Sequence, residues 1–262
     1  MLGKYNSFLV LVSILVAVVV SYTALSLSAR VARAKRGPNT VLWVAGGALA
    51  MGCGIWSMHF IGMLAFSLPI PLTYDLGLTI ASLVIAIAIS AFALSVAINP
   101  DIRLCHLTAA ALIMGMGISA MHYTGMMAID LLPMITYEPI LLVASVGIAI
   151  AASFAALWLF FHLREGRTLG MKLARIGGAF VMGFAISGMH YIGMAASRFS
   201  PRSFCTGGTT VDSGSLAFTT ALVAVIVLTI TSLFLLMNKP PHDPVREDVE
   251  HRRGDPSPFA RS

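Results

Sequence analysis

Long runs of apolar residues, broken only by short polar stretches, constrain this chain more than any other feature. Thr79–Ile98 and Leu216–Met237 are two of them, and neither contains a charged side chain. A helix rises 1.5 Å per residue, so about 20 residues cross the roughly 30 Å hydrocarbon layer of a bilayer. The runs are apolar all round rather than in stripes, which leaves no face for water. Hydrophobic residues make up 58% of the chain and charged residues 11%, whereas a soluble domain carries about 25% charge. Too little polar sequence remains to enclose seven apolar helices. The fold class is therefore all-α, a polytopic membrane helix bundle of about seven transmembrane helices.

The candidate spans are Ser7–Ala29, Val41–Phe66, Leu76–Ile98, Cys105–Ile129, Pro139–His162, Met171–Ser197 and Leu216–Met237. Turn-formers separate them: Gly37-Pro38-Asn39, Pro69 and Pro71, Asn99-Pro100, Pro133, Gly166 and Gly207-Gly208. The first run is followed by Arg30 rather than a small-residue cleavage site, so it reads as a retained helix. Residues 1–237 form one membrane unit. Residues 238–262, rich in Pro and charge, are expected to be a disordered cytoplasmic tail.

Alternate connections gather the basic residues. Arg30, Arg33, Lys35, Arg36, Arg103, Arg164, Arg167, Lys172, Arg175 and the tail lie on one side, holding 14 of the 17 Lys and Arg. Only Lys4, Arg198 and Arg202 fall opposite. The positive-inside rule then puts the amino terminus outside and the carboxyl terminus in the cytoplasm of a plasma or inner membrane. The same bias accounts for the net charge of +6 without a nucleic-acid partner, and anionic lipid headgroups suit the basic connections. Cys53, Cys105 and Cys205 fall in a span, at a cytoplasmic edge and in the last outer loop, so no disulfide is expected within the chain.

A 13-residue segment occurs three times, at Met51–Met63, Met114–Met126 and Met182–Met194. The copies start 63 and 68 residues apart, an offset of two spans, so all three motif helices run in the same direction. The chain is thus three two-helix repeats plus one helix. Each copy carries Met-His-aromatic: Met58-His59-Phe60, Met121-His122-Tyr123 and Met189-His190-Tyr191. Each histidine precedes the expected end of its span by seven residues, about 10 Å, so the three share one layer near the outer face. His59 and Met63 share a helix face, as do His122 and Met126, and His190 and Met194. Met58, Met121 and Met189 form an adjacent stripe with Gly62, Gly125 and Gly193, small residues that let helices approach closely. A second ring, Met51, Met114 and Met182, lies eight residues earlier, about 12 Å deeper.

These segments resemble the MHYT domain, a bacterial integral membrane sensor module named for its Met-His-Tyr-Thr repeat. Only Met121–Thr124 reads Met-His-Tyr-Thr in full; Phe60, Ile61 and Ile192 depart from it. The resemblance implies a sensor that binds a metal such as copper and detects a diatomic gas, O2, CO or NO. It also implies output through cyclic-di-nucleotide domains, which have no room in the 25 residues after Met237, so a separate signalling protein is expected to receive the signal. The residue chemistry agrees with copper. Imidazole and thioether suit a soft metal, and the spans lack the carboxylates that hard cations require. His59, Met63, His122, Met126, His190, Met194, Met58, Met121 and Met189 are the candidate ligands.

Packing is the alternative: Met fills gaps, and each His bonds a neighbouring backbone or Tyr123 or Tyr191. A haem held by His and Met would use the same residues. His106 and His162 read as interfacial or capping residues, and Trp43, Trp56 and Trp158 as packing and anchoring residues. No paired carboxylates, nucleophile with base, or phosphate loop appears, so no enzyme activity is expected. A copper permease is the second functional reading, and a purely structural membrane partner the third. The permease would use the deep methionine ring as a step, yet the inner halves of these helices offer no ionisable residue beyond that ring, which suits a dead-end sensor site better.

Overall fold

The computed structural model describes residues 3–33, 39–99, 103–163, 169–200, 204 and 209–237. The tail from 238 to 262, Cys205, Gly207-Gly208 and the basic residues Lys35, Arg36, Arg164, Arg167 and Arg202 lie outside the described residues. Seven helices follow the apolar runs: α1 (Ser7–Arg33), α2 (Asn39–Leu64), α3 (Leu76–Ala97), α4 (Leu104–Met127), α5 (Pro139–Leu163), α6 (Leu169–Ala196) and α7 (Ser213–Met237). All seven are long and apolar enough to cross a membrane.

The expected ends shift where strands take over. Phe66 and Ser197 belong to two-residue strands rather than to helices, and α7 starts at Ser213, three residues earlier than expected. The strands are β1 (Lys4–Tyr5), β2 (Phe66–Ser67), β3 (Thr73–Asp75), β4 (Thr136–Tyr137), β5 (Ser197–Arg198) and β6 (Thr210–Asp212). They pair as β1·β2, β3·β6 and β4·β5, all antiparallel, at the motif end of the bundle. Such short ladders carry no hydrophobic periodicity, so the sequence reads there as turns.

The first six helices form a closed ring in which α1 packs against both α2 and α6, and α7 lies outside, mainly against α2. The ring has approximate threefold symmetry. A Cβ placed on Gly52, Gly115 or Gly183 would lie 2.6 Å from the nearest atom of Ile87, Ile150 or Val18 respectively. These glycines therefore let α2 meet α3, α4 meet α5, and α6 meet α1 backbone to backbone. At the motif end the same symmetry appears in three hydrogen bonds. The backbone N–H groups of Asn6, Asp75 and Glu138 donate to the carbonyls of Ala65, Ala128 and Ala196 at 2.8, 2.7 and 2.8 Å. Because Gly183 of α6 packs on Val18 of α1, it is α1, not α7, that fills the third partner position beside the motif helix α6. Side-chain oxygens of Asn6 and Asp75 also cap α1 and α3 by accepting from Phe8 and Leu78 N–H groups at 3.0 and 2.7 Å. At the basic end Arg175 donates two bonds to the Leu163 carbonyl, at 3.1 and 2.7 Å, closing α5.

Large apolar side chains point outward, among them Phe8, Ile140, Phe180 and Phe218. The interior holds many Ala, Ser and Met side chains and the three motif histidines beside Phe60, Tyr74, Leu94 and Leu157. The outward apolar side chains and the small buried residues fit a helix bundle in lipid, where small residues and hydrogen bonds bring helices together.

Candidate metal centre

His59, His122 and His190 are all essentially inaccessible, at 1%, 0% and 1% relative exposure. They meet on the axis of the ring. His59 Nδ1 lies 3.1 Å from His190 Nδ1 and 3.2 Å from His122 Nδ1. The three are the one group of His, Cys, Asp or Glu side chains among the described residues that gathers closely enough to hold a metal ion. The imidazole planes stand nearly perpendicular to one another, at 78°, 89° and 90°.

The outward ring edges explain three glycines. A Cβ on Gly125 would lie 2.3 Å from His59 Nε2, one on Gly193 2.3 Å from His122 Nε2, and one on Gly62 2.3 Å from His190 Nε2. Each histidine thus presses its Nε2 edge into the glycine of the next motif helix, in the cycle α2 to α4 to α6 to α2. This corrects the role expected for Gly62, Gly125 and Gly193. They make room for imidazoles, while close backbone approach falls to Gly52, Gly115 and Gly183.

The aromatic residue after each histidine stands edge-on to it. Ring centroids are 5.0 Å apart for His59 and Phe60, and 4.8 Å for both His122 with Tyr123 and His190 with Tyr191. The tyrosines do not bond the histidines, as the packing alternative allowed. Tyr123 Oη instead shares a 2.6 Å hydrogen bond with Ser145 of α5, and Tyr191 Oη shares one of 2.6 Å with Ser13 of α1. In the first copy Phe60 has no hydroxyl, and the matched Ser82 of α3 accepts from Trp56 Nε1 at 3.1 Å. Trp56 therefore ties α2 to α3, beyond the anchoring role read from sequence. These serines were missed, yet a signal for them exists. Counting seven residues on from Asn6, Asp75 and Glu138 reaches Ser13, Ser82 and Ser145.

Met58, Met63, Met121, Met126, Met189 and Met194 are all buried in or near the histidine layer. Met63, Met121, Met126 and Met194 pack in an apolar cluster with Trp56, Phe60 and Tyr74, and Met189 packs with Ile118 and Ala149. His162 Nδ1 donates to the Trp158 carbonyl at 2.9 Å and the ring stacks on that indole, in keeping with a helix-end role. Cys53 and Cys105 are free.

The donor set can be judged on its own chemistry. A neutral imidazole nitrogen that donates a proton has no lone pair with which to accept one. Three inward Nδ1 atoms therefore cannot satisfy one another as a ring of hydrogen bonds, and the Nε2 atoms of His59 and His122 have no hydrogen-bond partner. Two nitrogens that each bind one ion at about 2.0–2.1 Å stand about 3–4 Å apart. The two Nδ1 separations of 3.1 and 3.2 Å fall in that range.

A polytopic membrane domain built on a threefold ring, with one buried imidazole cluster on its axis, is the class this geometry defines. The chain belongs to the MHYT family, described as "Bacterial signalling protein N terminal repeat", which matches residues 52–110, 115–171 and 183–240. It is 51% identical over 239 residues to the bifunctional diguanylate cyclase/cyclic di-GMP phosphodiesterase MucR of Pseudomonas aeruginosa, covering 91% of this chain and 34% of the relative. It is 40% identical to the signaling protein YkoW of Bacillus subtilis, over 74% of this chain and 24% of the relative. It is also 40% identical to the cyclic di-GMP phosphodiesterase NbdA of Pseudomonas aeruginosa, over 73% of this chain and 24% of the relative. The chain spans about a third or less of the length of these curated relatives. No solved structure matches it. The chain is a multi-pass membrane signalling domain.

Proposed function

We propose that this domain senses a metal-dependent signal, with copper held by His59, His122 and His190 through their Nδ1 atoms. The observation that carries the reading is the convergence of three buried Nδ1 atoms on one axis, 3.1 and 3.2 Å apart where they meet at His59. Imidazole suits copper, and the absence of Asp and Glu from the spans disfavours hard cations. A bound copper ion would supply a redox-active centre able to take a diatomic gas such as O2, CO or NO. The protein's part is to orient the rings: glycines on the neighbouring helices receive the Nε2 edges, and the tyrosine–serine bonds fix the motif helices. Met58, Met63, Met121, Met126, Met189 and Met194 shape the surrounding apolar layer and stand ready as thioether ligands.

The charge asymmetry supports a histidine layer toward the outside and a carboxyl terminus of α7 toward the cytoplasm. Residues 1–237 act as the sensing unit and the tail as a cytoplasmic extension. Because relatives are named for cyclic di-GMP turnover, the signal reaches a protein or domain that makes or degrades that nucleotide.

The test is metal analysis and absorbance or electron paramagnetic resonance of the purified chain, with and without His59→Ala, His122→Ala and His190→Ala. Each single variant should lose most of its copper, because two imidazoles do not complete the coordination sphere. Copper retained at wild-type stoichiometry in the His59→Ala variant would overturn the reading.

A further inference from the structure

At the motif end, beside the start of α3, lies an open pocket of about 340 Å³. Its size falls within the roughly 300–1,000 Å³ usual for small-molecule sites. Asp75, Asp130 and Tyr137 line it together with Met127, Leu132 and Met134, three exposed apolar side chains. Carboxylates set among apolar side chains suit an organic cation better than a bare ion.

The threefold symmetry supplies a second, independent observation. Ser67, Asp130 and Arg198 each lie two residues beyond Ala65, Ala128 and Ala196, whose carbonyls accept from Asn6, Asp75 and Glu138. In the third copy these two positions form an ion pair, Arg198 with Glu138. In the first they are the neutral Ser67 and Asn6. In the second both are acidic. Asp75 gives one carboxylate oxygen to the cap of α3, and no basic side chain among the described residues pairs with it. The second copy therefore keeps the carboxylate of the ion pair and sets another acid at the position of the guanidinium.

Tyr137 adds an acceptor and a connection. Its Oη is shielded from solvent and has no hydrogen-bond partner. Its ring stands edge-on to Tyr123 with centroids 5.2 Å apart, and Tyr123 stands edge-on to His122. Two ring contacts thus link the pocket to the histidine cluster.

We propose that this pocket binds a linear aliphatic diamine, with ammonium groups on Asp75 and Asp130 and the methylene chain against Met127, Leu132 and Met134. An ammonium group donates and never accepts, which matches carboxylate and phenol oxygens, and its bonds to carboxylate are charge-assisted. A diamine neutralises both acids, whereas a monoamine leaves one unmatched. A calcium ion takes about 6–8 oxygen ligands and gains nothing from the apolar wall. The site is separate from the histidine cluster and needs no metal there.

The experiment titrates the full chain with putrescine by calorimetry, in nanodiscs of zwitterionic lipid that offer the amine no anionic surface. The wild type should bind one equivalent saturably, and the neutral butanediol should not bind. Asp75→Asn preserves the α3 cap, since asparagine caps as well as aspartate. It and Asp130→Asn should each weaken putrescine about tenfold through the loss of a charged hydrogen bond. Tyr137→Phe should weaken it a few-fold, and Glu138→Gln, at the matched acid outside the pocket, should change nothing. Melting curves show whether each variant is folded. No saturable putrescine binding by the wild type, equal binding of butanediol, or wild-type affinity in a folded Asp75→Asn/Asp130→Asn variant would overturn the proposal. Saturable calcium binding that excludes putrescine would overturn it in favour of a hard cation on the same carboxylates. None of these outcomes bears on copper at the histidines.

Discussion

Tyr191 and Ser13, 178 residues apart in the chain, share a 2.6 Å hydrogen bond that fastens the last motif helix to the first helix. The bond is the counterpart of Tyr123 with Ser145, which joins helices adjacent in sequence. One class of contact therefore both tightens a sequential pair and closes the ring.

Removing either bond should cost a similar, modest amount. Interhelical hydrogen bonds in membranes average about 0.6 kcal/mol in double-mutant cycles, because the unfolded chain in lipid also finds partners. The Tyr191→Phe/Ser13→Ala cycle and the Tyr123→Phe/Ser145→Ala cycle should each give a coupling of about 0.6 kcal/mol in reversible unfolding in mild detergent. A coupling of zero at Tyr191 with Ser13 would show that the ring closes without it.

Substitution of the ring-receiving glycines should be far more damaging than substitution of open ones. Gly125→Ala puts a Cβ 2.3 Å from His59 Nε2, whereas Gly46 and Gly147 have nothing within 4 Å. Overpacking of this kind costs about 1–3 kcal/mol. Gly125→Ala should lower the melting temperature by several degrees and reduce copper content, while Gly46→Ala leaves both unchanged.

Orientation can be read from Cys105, which is exposed at the basic end, and Cys53, which lies within α2. In intact cells a membrane-impermeant maleimide should spare Cys105 of a Cys205→Ser variant and label it once the membrane is opened. Labelling in intact cells would turn the domain over and put the histidine layer on the cytoplasmic side.

Stability should fall in alkali through two tyrosines at the motif end. Burial pushes Tyr74 and Tyr137 up to about 12, from an ordinary value of 10.0. Both states are protonated below pH 10, so the tyrosines leave stability flat there. Between pH 10 and 12 only the unfolded chain ionises, and stability drops across that window. Tyr74→Phe should flatten part of the drop in thermal melts taken at pH 9, 10 and 11. An unchanged slope would show that Tyr74 does not titrate in this way.

The spans were legible because a bilayer demands one physical property, sustained apolarity over about 20 residues, and each run states it locally. The repeat was legible too. Identical spacing from Met51, Met114 and Met182 to His59, His122 and His190 fixes equal depth by the helical rise alone. Strand ends such as Phe66 and Ser197 were not legible, since two-residue ladders depend on a partner far along the chain.

What the sequence determined by itself is therefore the helix count, the helix direction and the layer of the histidines, all consequences of local hydrophobicity and rise per residue. The tertiary structure alone decided rotation and partnership. Equal depth does not say that three Nδ1 atoms face inward; that follows from Gly62, Gly125 and Gly193 accepting the opposite ring edges. Nor does the repeat say which helix completes the third pair. The family match runs the third repeat through α7, yet α1 packs on α6 through Gly183 and Val18 and carries the serine for Tyr191. That choice lies in contacts between residues more than 160 positions apart, where side-chain shape and hydrogen bonding across helices, rather than local propensity, set the outcome.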